Sequence, residues 1–286
     1  MRIKKADKLI DNRVSLTISD RSCDYIPKVK NAGKIIDNYQ IMHNGLKVIK
    51  RSCDTDWMKK IIKELKGHHE PQEEKVFYEI LKDIKEGSTM LELGSSWSYY
   101  SMWFAKEIKN SKNIMIEPNQ EKLERGIDNF RINKLTSSIF IKGQIGNKFK
   151  NKSNFFGKEI HQFSIDYILD KYQIKNLSIL HSDIQGSEFN MLRGASNALD
   201  KKSIDYFFIS THHDAIHTLC IQLLKGKGYN IICQHTIAES SSADGLIVAS
   251  SKKRDKIEIF KVKTKKNSIV KKSKNLLRYL QYKFQK

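Results

Sequence analysis

Acids recur in this chain where apolar runs stop. Met90-Leu91-Glu92-Leu93-Gly94-Ser95 contains an acid and a glycine at its end, and Ile114-Met115-Ile116-Glu117 places a second acid 25 residues after Glu92. A third run, Ile179-Leu180-His181-Ser182, delivers Asp183 and is followed by Ile184-Gln185-Gly186-Ser187-Glu188. A fourth, Tyr206-Phe207-Phe208-Ile209-Ser210, leads into Thr211-His212-His213-Asp214, with His217 just beyond. Carboxylates and imidazoles at the ends of buried strands are the makings of a ligand site in an open α/β sheet. There the ligand lies beyond the carboxyl ends of the strands, over a glycine turn, with an acid after the second strand holding ribose hydroxyls.

Each group then has an expected role. A dinucleotide needs G-x-G-x-x-G after the first strand so that the backbone can approach the pyrophosphate. Gly94-Ser95-Ser96-Trp97-Ser98-Tyr99 keeps only the first glycine. A ligand without a pyrophosphate, such as S-adenosylmethionine (SAM), tolerates that loss. Glu92, Gly94 and Ser95 are expected at its methionyl end, Glu117 on its ribose, Gln144 where an adenine edge would lie, and Asp183 in the same pocket. A proton acceptor belongs nearby, and histidine titrates in the right range. His212 is the favoured base, with His213 and Asp183 beside it. The competing mechanism is a divalent cation held by Asp183, Asp214 and a histidine, which would acidify a bound hydroxyl. It is less favoured because the spacing fits no metal motif. His69, Glu188, Asp214 and Asp244 are candidate acceptor contacts, and His68, Glu70 and Glu73 could join His69 in a cap. Helix-start chemistry around Pro71 explains that last cluster almost as well.

The elements that must position these groups follow from periodicity. Strands are expected at 89–93, 113–117, 138–142, 178–182, 206–210, 230–234 and 245–249. Helices are expected from about 71 to 85, 98 to 109, 120 to 133, 165 to 172, 188 to 199 and 215 to 227, with a looser polar stretch from 143 to 164. Alternation of this kind means a doubly wound, mainly parallel seven-stranded α/β sheet, and the closing helix-strand-strand predicts one antiparallel member at the edge. Residues 1–66 read as a polar extension, a candidate substrate cap, with a strand pair around Asn44-Gly45 and a helix over 56–65. The central domain spans 67–250. Residues 251–286 read as a strand over 256–262 and then a basic helix with Ile269, Leu276, Leu280 and Phe284 on one face.

Bulk composition narrows the classes. With 286 residues and 39% hydrophobic content the chain can bury a full core. Cys23, Cys53, Cys220 and Cys233 show neither disulfide nor zinc-ligand spacing. No stretch is long and apolar enough for a membrane span and the first residues lead into no signal segment, so a cytoplasmic location is expected. The net charge is +20, but Lys252 to Lys286 carries 14 Lys/Arg against two acids, leaving the rest only mildly basic. That tail could contact an anionic membrane surface. Nucleic acid is a weaker partner, because no Asn-Pro-Pro-aromatic motif for an extruded base and no RNA-binding module is present.

The stretch from Ile179 to Ala195 resembles the Asp-x-x-Gly-x-Glu box of the FkbM family of SAM-dependent methyltransferases, with its following Leu192-Arg193-Gly194-Ala195. Phe163-Ser164-Ile165-Asp166-Tyr167-Ile168-Leu169 resembles the lead-in helix, and Glu92-Leu93-Gly94 and Glu117-Pro118 resemble the earlier strand ends. The likeness runs from about residue 76 to 250. The family commonly has Glu where this chain has Gln185. The resemblance implies a class I methyltransferase (Rossmann-like) fold and methyl transfer from SAM to the hydroxyl of a sugar, glycan or natural product. The rival classes are a nucleic-acid methyltransferase and a non-catalytic binding protein on the same scaffold.

Overall fold

A computed structural model of the protein describes residues 2–53 and 55–262. The chain runs α1 (Arg2–Ser19), β1 (Ile35–Ile36), β2 (Tyr39–Ile41), β3 (Lys47–Ile49), α2 (Asp56–Glu64), α3 (Pro71–Leu81), β4 (Thr89–Leu93), α4 (Tyr99–Glu107), β5 (Lys112–Glu117) and α5 (Gln120–Ile132). It continues β6 (Ser138–Lys142), β7 (Gln144–Ile145), β8 (Lys150–Phe155), β9 (Lys158–Phe163), α6 (Ile165–Lys171), β10 (Leu177–Ser182), α7 (Glu188–Arg193) and α8 (Ser196–Asp200). The last elements are β11 (Ile204–Thr211), α9 (Asp214–Gly226), β12 (Asn230–His235) and β13 (Gly245–Ser250).

Seven strands form the main sheet in the order β12-β13-β11-β10-β4-β5-β6. The pairs from β11 to β6 are parallel, and the antiparallel member, β13, lies between β11 and β12 at one side. Side chains alternate across each strand and so build two cores. Met90, Met115, Ile179, Phe208 and Val248 pack with Phe77 of α3 and Trp103 and Phe104 of α4. Leu91, Ile114, Leu180, Phe207 and Ile247 pack with Ile168, Leu192 and Leu224 from α6, α7 and α9. Each such side chain, removed from water, contributes roughly 1.5–3 kcal/mol. This is the doubly wound, mainly parallel seven-stranded sheet expected from the alternation, and the class I methyltransferase (Rossmann-like) architecture that the resemblance implied.

Several expectations differ from the observed chain. The extension begins with a helix, α1, that the polar sequence did not announce; Arg13 Nη1 and Thr17 Oγ1 donate to the Ser240 and Ser241 carbonyls, so this helix is fastened to the loop before β13. The stretch 143–164 is a small three-stranded sheet, β7-β9-β8, rather than loose chain. The expected 188–199 helix breaks into α7 and α8, where Asp166 accepts from the backbone N–H groups of Asn197 and Ala198. A Cβ on Gly194 at that break would come within 2.5 Å of the Gly146 carbonyl. Residues 256–262 form no strand: Ile257 donates once to the Ile232 carbonyl and Val262 once to Glu239. The expected basic helix beyond them lies outside the described residues. Among the described residues no helix is long and apolar enough to cross a membrane.

Candidate active site

The floor of the site is a continuation of one core face. Met90 and Ile179 fill that face, and two residues further along each strand stand Glu92 and His181, neighbours in the parallel register. Two residues beyond Phe208 stands Ser210. Alternation thus replaces three apolar side chains by polar ones where the strands end. Glu73 of α3 reaches across them, with Oε1 2.9 Å from His181 Nε2 and Oε2 accepting from Ser210 Oγ at 3.2 Å. Burial opposes charge on His181, but the bond to Glu73 and the nearby carboxylates outweigh it and raise its pKa. Burial raises the Glu92 carboxyl, against the pull of His181 and the Ser101 N–H, which donates to Oε2 at 3.1 Å.

The sheet's connections reverse between β4 and β10, the switch point at which open α/β sheets bind ligands. Asp183 N donates to the Leu93 carbonyl at 2.9 Å, drawing the two loops together. Gly94, at φ +69°, has no room for a side chain there, since a Cβ would fall 1.9 Å from the Asp183 carbonyl oxygen. At the end of β5, Glu117 accepts from Ser96 N through Oε2 (3.0 Å) and from Asn119 N through Oε1 (2.9 Å). Each oxygen keeps a lone pair for a ribose hydroxyl. Above these loops opens a cavity of ≈ 850 Å³, lined by Glu92, Gly94, Ser95, Glu117, Gln144 and Asp183, with His69 on its wall. Its size suits a nucleoside-type ligand. Ser95 Oγ is buried on this wall with no hydrogen-bond partner among the described residues, so the wall keeps a donor for such a ligand. The residues present fit SAM.

Gln144 lines the cavity but its amide is engaged: Nε2 donates to Ser153 Oγ at 2.7 Å and ties β7 to the β8–β9 hairpin. At the hairpin tip Phe156 is 93% exposed and also lines the cavity. Sequence reasoning missed this hairpin, because its lysines and asparagines give no apolar alternation.

His212, the expected base, is set among three acids. Its Nδ1 is 2.7 Å from Glu188 Oε1, and its Nε2 is 3.1 Å from Asp183 Oδ1 and 3.5 Å from Asp244 Oδ1. Burial disfavours the charged ring, but the bonds to Asp183 and Glu188 and the Asp244 charge outweigh that and raise its pKa to about 10. Its Nε2 also lies 2.8 Å from Gln185 Nε2, and the ring is not among the residues that line the cavity. Burial works against the Asp183 carboxylate, yet His212 keeps its pKa low, and the Gln185 amide adds a 3.1 Å bond. His213, Glu188, Asp214 and Asp244 likewise do not line the cavity. Asp244 joins the acids around His212, and Glu188 Oε1 also accepts from Gly186 N at 2.8 Å. Asp214 opens α9 beside His217, apart from the lining, which counts against the Asp183–Asp214 cation site.

The wall opposite is built by the start of α3. Glu74, fully buried, bonds His68 Nδ1, lies 2.7 Å from His69 Nδ1 through Oε1, and accepts from the backbone N–H groups of His69 and Glu70. Burial opposes a charge on His69, but Glu74 and Glu70 raise its pKa. Glu70 Oε2 accepts from Tyr100 Oη at 3.0 Å and faces the cavity. Tyr100 lies in the first turn of α4. Its nearness to an acid thirty residues away depends on the fold.

These are the features of a nucleotide-cofactor transferase on a Rossmann-like sheet. The methyltransferase FkbM domain family matches residues 84–231, just over half of the chain, and the chain belongs to this family of SAM-dependent methyltransferases. No curated protein sequence matches it. Among solved structures it is similar to the TrmK protein of M. capricolum in complex with S-adenosyl-homocysteine (16% identity, 63% of this chain and 69% of that one, TM-score 0.42). It is also similar to the precorrin-6y C5,15-methyltransferase of Geobacter metallireducens (13%, 63% and 88%, TM-score 0.43). A third likeness is to the fibrillarin of Aeropyrum pernix with natively bound S-adenosyl-L-methionine (14%, 58% and 67%, TM-score 0.39). The family match, not these distant likenesses, carries the assignment.

Proposed function

We propose that the protein is an O-methyltransferase whose acceptor is a hydroxyl of a sugar, glycan or natural product. The observation that carries this reading is the convergence in one cavity of the strand-end acids Glu92, Glu117 and Asp183 with a second, hydrogen-bonding wall of Glu70, Tyr100 and His181. When bound, SAM supplies a methyl carbon already activated by positively charged sulfur. The chain's part is then alignment of the acceptor and removal of its proton. Glu117 holds the ribose hydroxyls, the backbone at Gly94 and the Ser95 hydroxyl hold the methionyl end, and Glu92 stabilises its ammonium. Asp183, kept ionised by His212, supports both halves. The acceptor hydroxyl is received by the Glu70–Tyr100–His181 wall, which offers donors and acceptors in alternation.

A divalent cation is not part of this proposal, since the spacing of the acids and histidines fits no metal motif. The proposal places the enzyme in the cytoplasm, with the basic segment from Lys252 as its contact with an anionic membrane surface. Calorimetric titration with SAM, followed by methyl transfer to a panel of methyl glycosides, tests the reading. Absence of heat at millimolar SAM would end it, and SAM binding with transfer only to RNA would replace the acceptor class.

A further inference from the structure

We infer that Glu70 is the carboxyl that gives up its proton when the positively charged cofactor enters the cavity and then takes the proton of the acceptor hydroxyl. This rests on the reading of the cavity as a site for SAM and a hydroxyl.

The other acids of the cavity are committed. Asp183 is held as a carboxylate by His212, Glu117 spans two backbone N–H groups, and Glu92 lies on the floor against His181 and Ser101 N. Glu70 is placed differently. It precedes Pro71, where α3 begins, and its Oε2 lies 3.0 Å from Tyr100 Oη and 3.5 Å from His69 Nε2. The groups facing it come from three sides: His69 and Glu73 from its own segment, Tyr100 from α4, and His181 and Asp183 from the end of β10. Burial is the largest influence; with Glu73 and Asp183 it pushes the carboxyl up to about 7, against His69 and the Tyr100 bond. Such a carboxyl is present in both protonation states at neutral pH, as a general base requires.

SAM carries a sulfonium and an ammonium against one carboxylate, whereas its product has lost the sulfonium charge. A positive charge brought into the cavity favours the ionised carboxyl, and its disappearance favours the protonated one. Glu70 is therefore driven to the carboxylate before transfer and left able to keep a proton after it. The balance closes: the acceptor oxygen gains the methyl carbon, the carbon–sulfur bond breaks with its electron pair left on sulfur, and the acceptor's proton moves to Glu70.

The test needs no acceptor. Calorimetric titration of the full chain at pH 7 in phosphate and in Tris, buffers of different ionisation enthalpy, reads protons released per ligand. SAM is expected to release about half a proton, as for a group half protonated at that pH, and S-adenosyl-homocysteine markedly less. Glu70→Gln is expected to abolish this difference while still binding SAM. Equal release for the two ligands, or a difference that survives in Glu70→Gln, overturns the proposal. Lack of SAM binding by the unaltered protein overturns the reading of the cavity instead, and this inference with it. Carbon NMR of carboxyl-labelled glutamates in the unaltered protein decides the matter where the variant does not fold: one carboxyl titrating near neutrality, moved down by SAM and not by its product, is expected, and its absence refutes the assignment.

Discussion

Glu117 and His212 differ in how much of their surroundings the local sequence can convey. An acid at the end of the second strand has one geometric consequence, and Glu117 sits beside the Ser96 and Asn119 N–H groups as that position requires. Glu117→Ala removes charge-assisted bonds and is expected to weaken SAM binding about 10- to 100-fold; an unchanged calorimetric Kd would place the ribose elsewhere. The protonation of His212 is set by neighbours distant in sequence, here Glu188 and Asp244. In the folded chain its pKa is about 10, against roughly 6.5 in the unfolded chain. Its stabilising contribution is therefore full below about pH 6.5 and is lost progressively as pH rises through the folded value. Asp183, with its pKa lowered, acts in the opposite sense: its contribution is present above about pH 3.9 and lost as pH falls through its folded value. His212→Asn is expected to lower the thermal midpoint more at pH 6 than at pH 9. A gap of equal size at both would mean that the ring is not held as a cation.

Between residues and the whole lie the loops and hairpins that aim the side chains. Gly94→Ala sets a Cβ against the Asp183 carbonyl at positive φ, so the β4 and β10 loops must part. Denaturant unfolding is expected to show a loss on the order of 2–3 kcal/mol, with SAM binding weakened as well; a variant as stable as the parent would mean that these loops separate freely. Phe156→Ser concerns the hairpin tip. An exposed side chain costs little to remove, so stability should hold within about 0.5 kcal/mol. Affinity for SAM should fall about threefold to tenfold if the ring covers the ligand, in keeping with aromatic contacts of about 0.5–1.5 kcal/mol. The elements carrying Glu92, Glu117 and Asp183 were legible because buried parallel strands are apolar runs with polar ends. The β8–β9 hairpin was not, since its buried Ile160 and Phe163 stand three apart and give no strand alternation, and in α1 the packed Val14 and Ile18 are set among charged and polar residues that mask the stripe. The α7–α8 break depends on Asp166, more than twenty residues earlier, accepting the N–H groups of Asn197 and Ala198. Glu70 was legible as a helix-start acid, but its place on the cavity wall needed α4 to bring up Tyr100.

At the scale of the molecule, charge and chemistry are separated. The net charge is +20, and more than half of it comes from Lys252 onward, whereas the cavity is walled by acids. Such a division suits an enzyme held near an anionic surface while a cationic cofactor is held inside. Residues 253–262 run along the free side of β12 and also over α3, where Lys75 Nζ donates to the Glu258 carbonyl and Gln72 Nε2 to the Phe260 carbonyl, each at 2.6 Å. The full chain is therefore expected to sediment with vesicles of phosphatidylcholine and phosphatidylglycerol at 3:1 in low salt, and not with phosphatidylcholine alone. Each basic side chain near such a surface contributes about 1 kcal/mol, an attraction confined to the screening length. That length shrinks from about 10 Å at 0.1 M salt to about 3 Å at 1 M, so the protein should be released at high salt. SAM affinity, set by partly buried groups, should change far less over the same range. Vesicle binding that persists at 1 M salt, or that is equal on neutral lipid, would show that apolar contact rather than charge brings the chain to the membrane. SAM affinity that fell in step with vesicle release would show that surface and cavity are coupled after all.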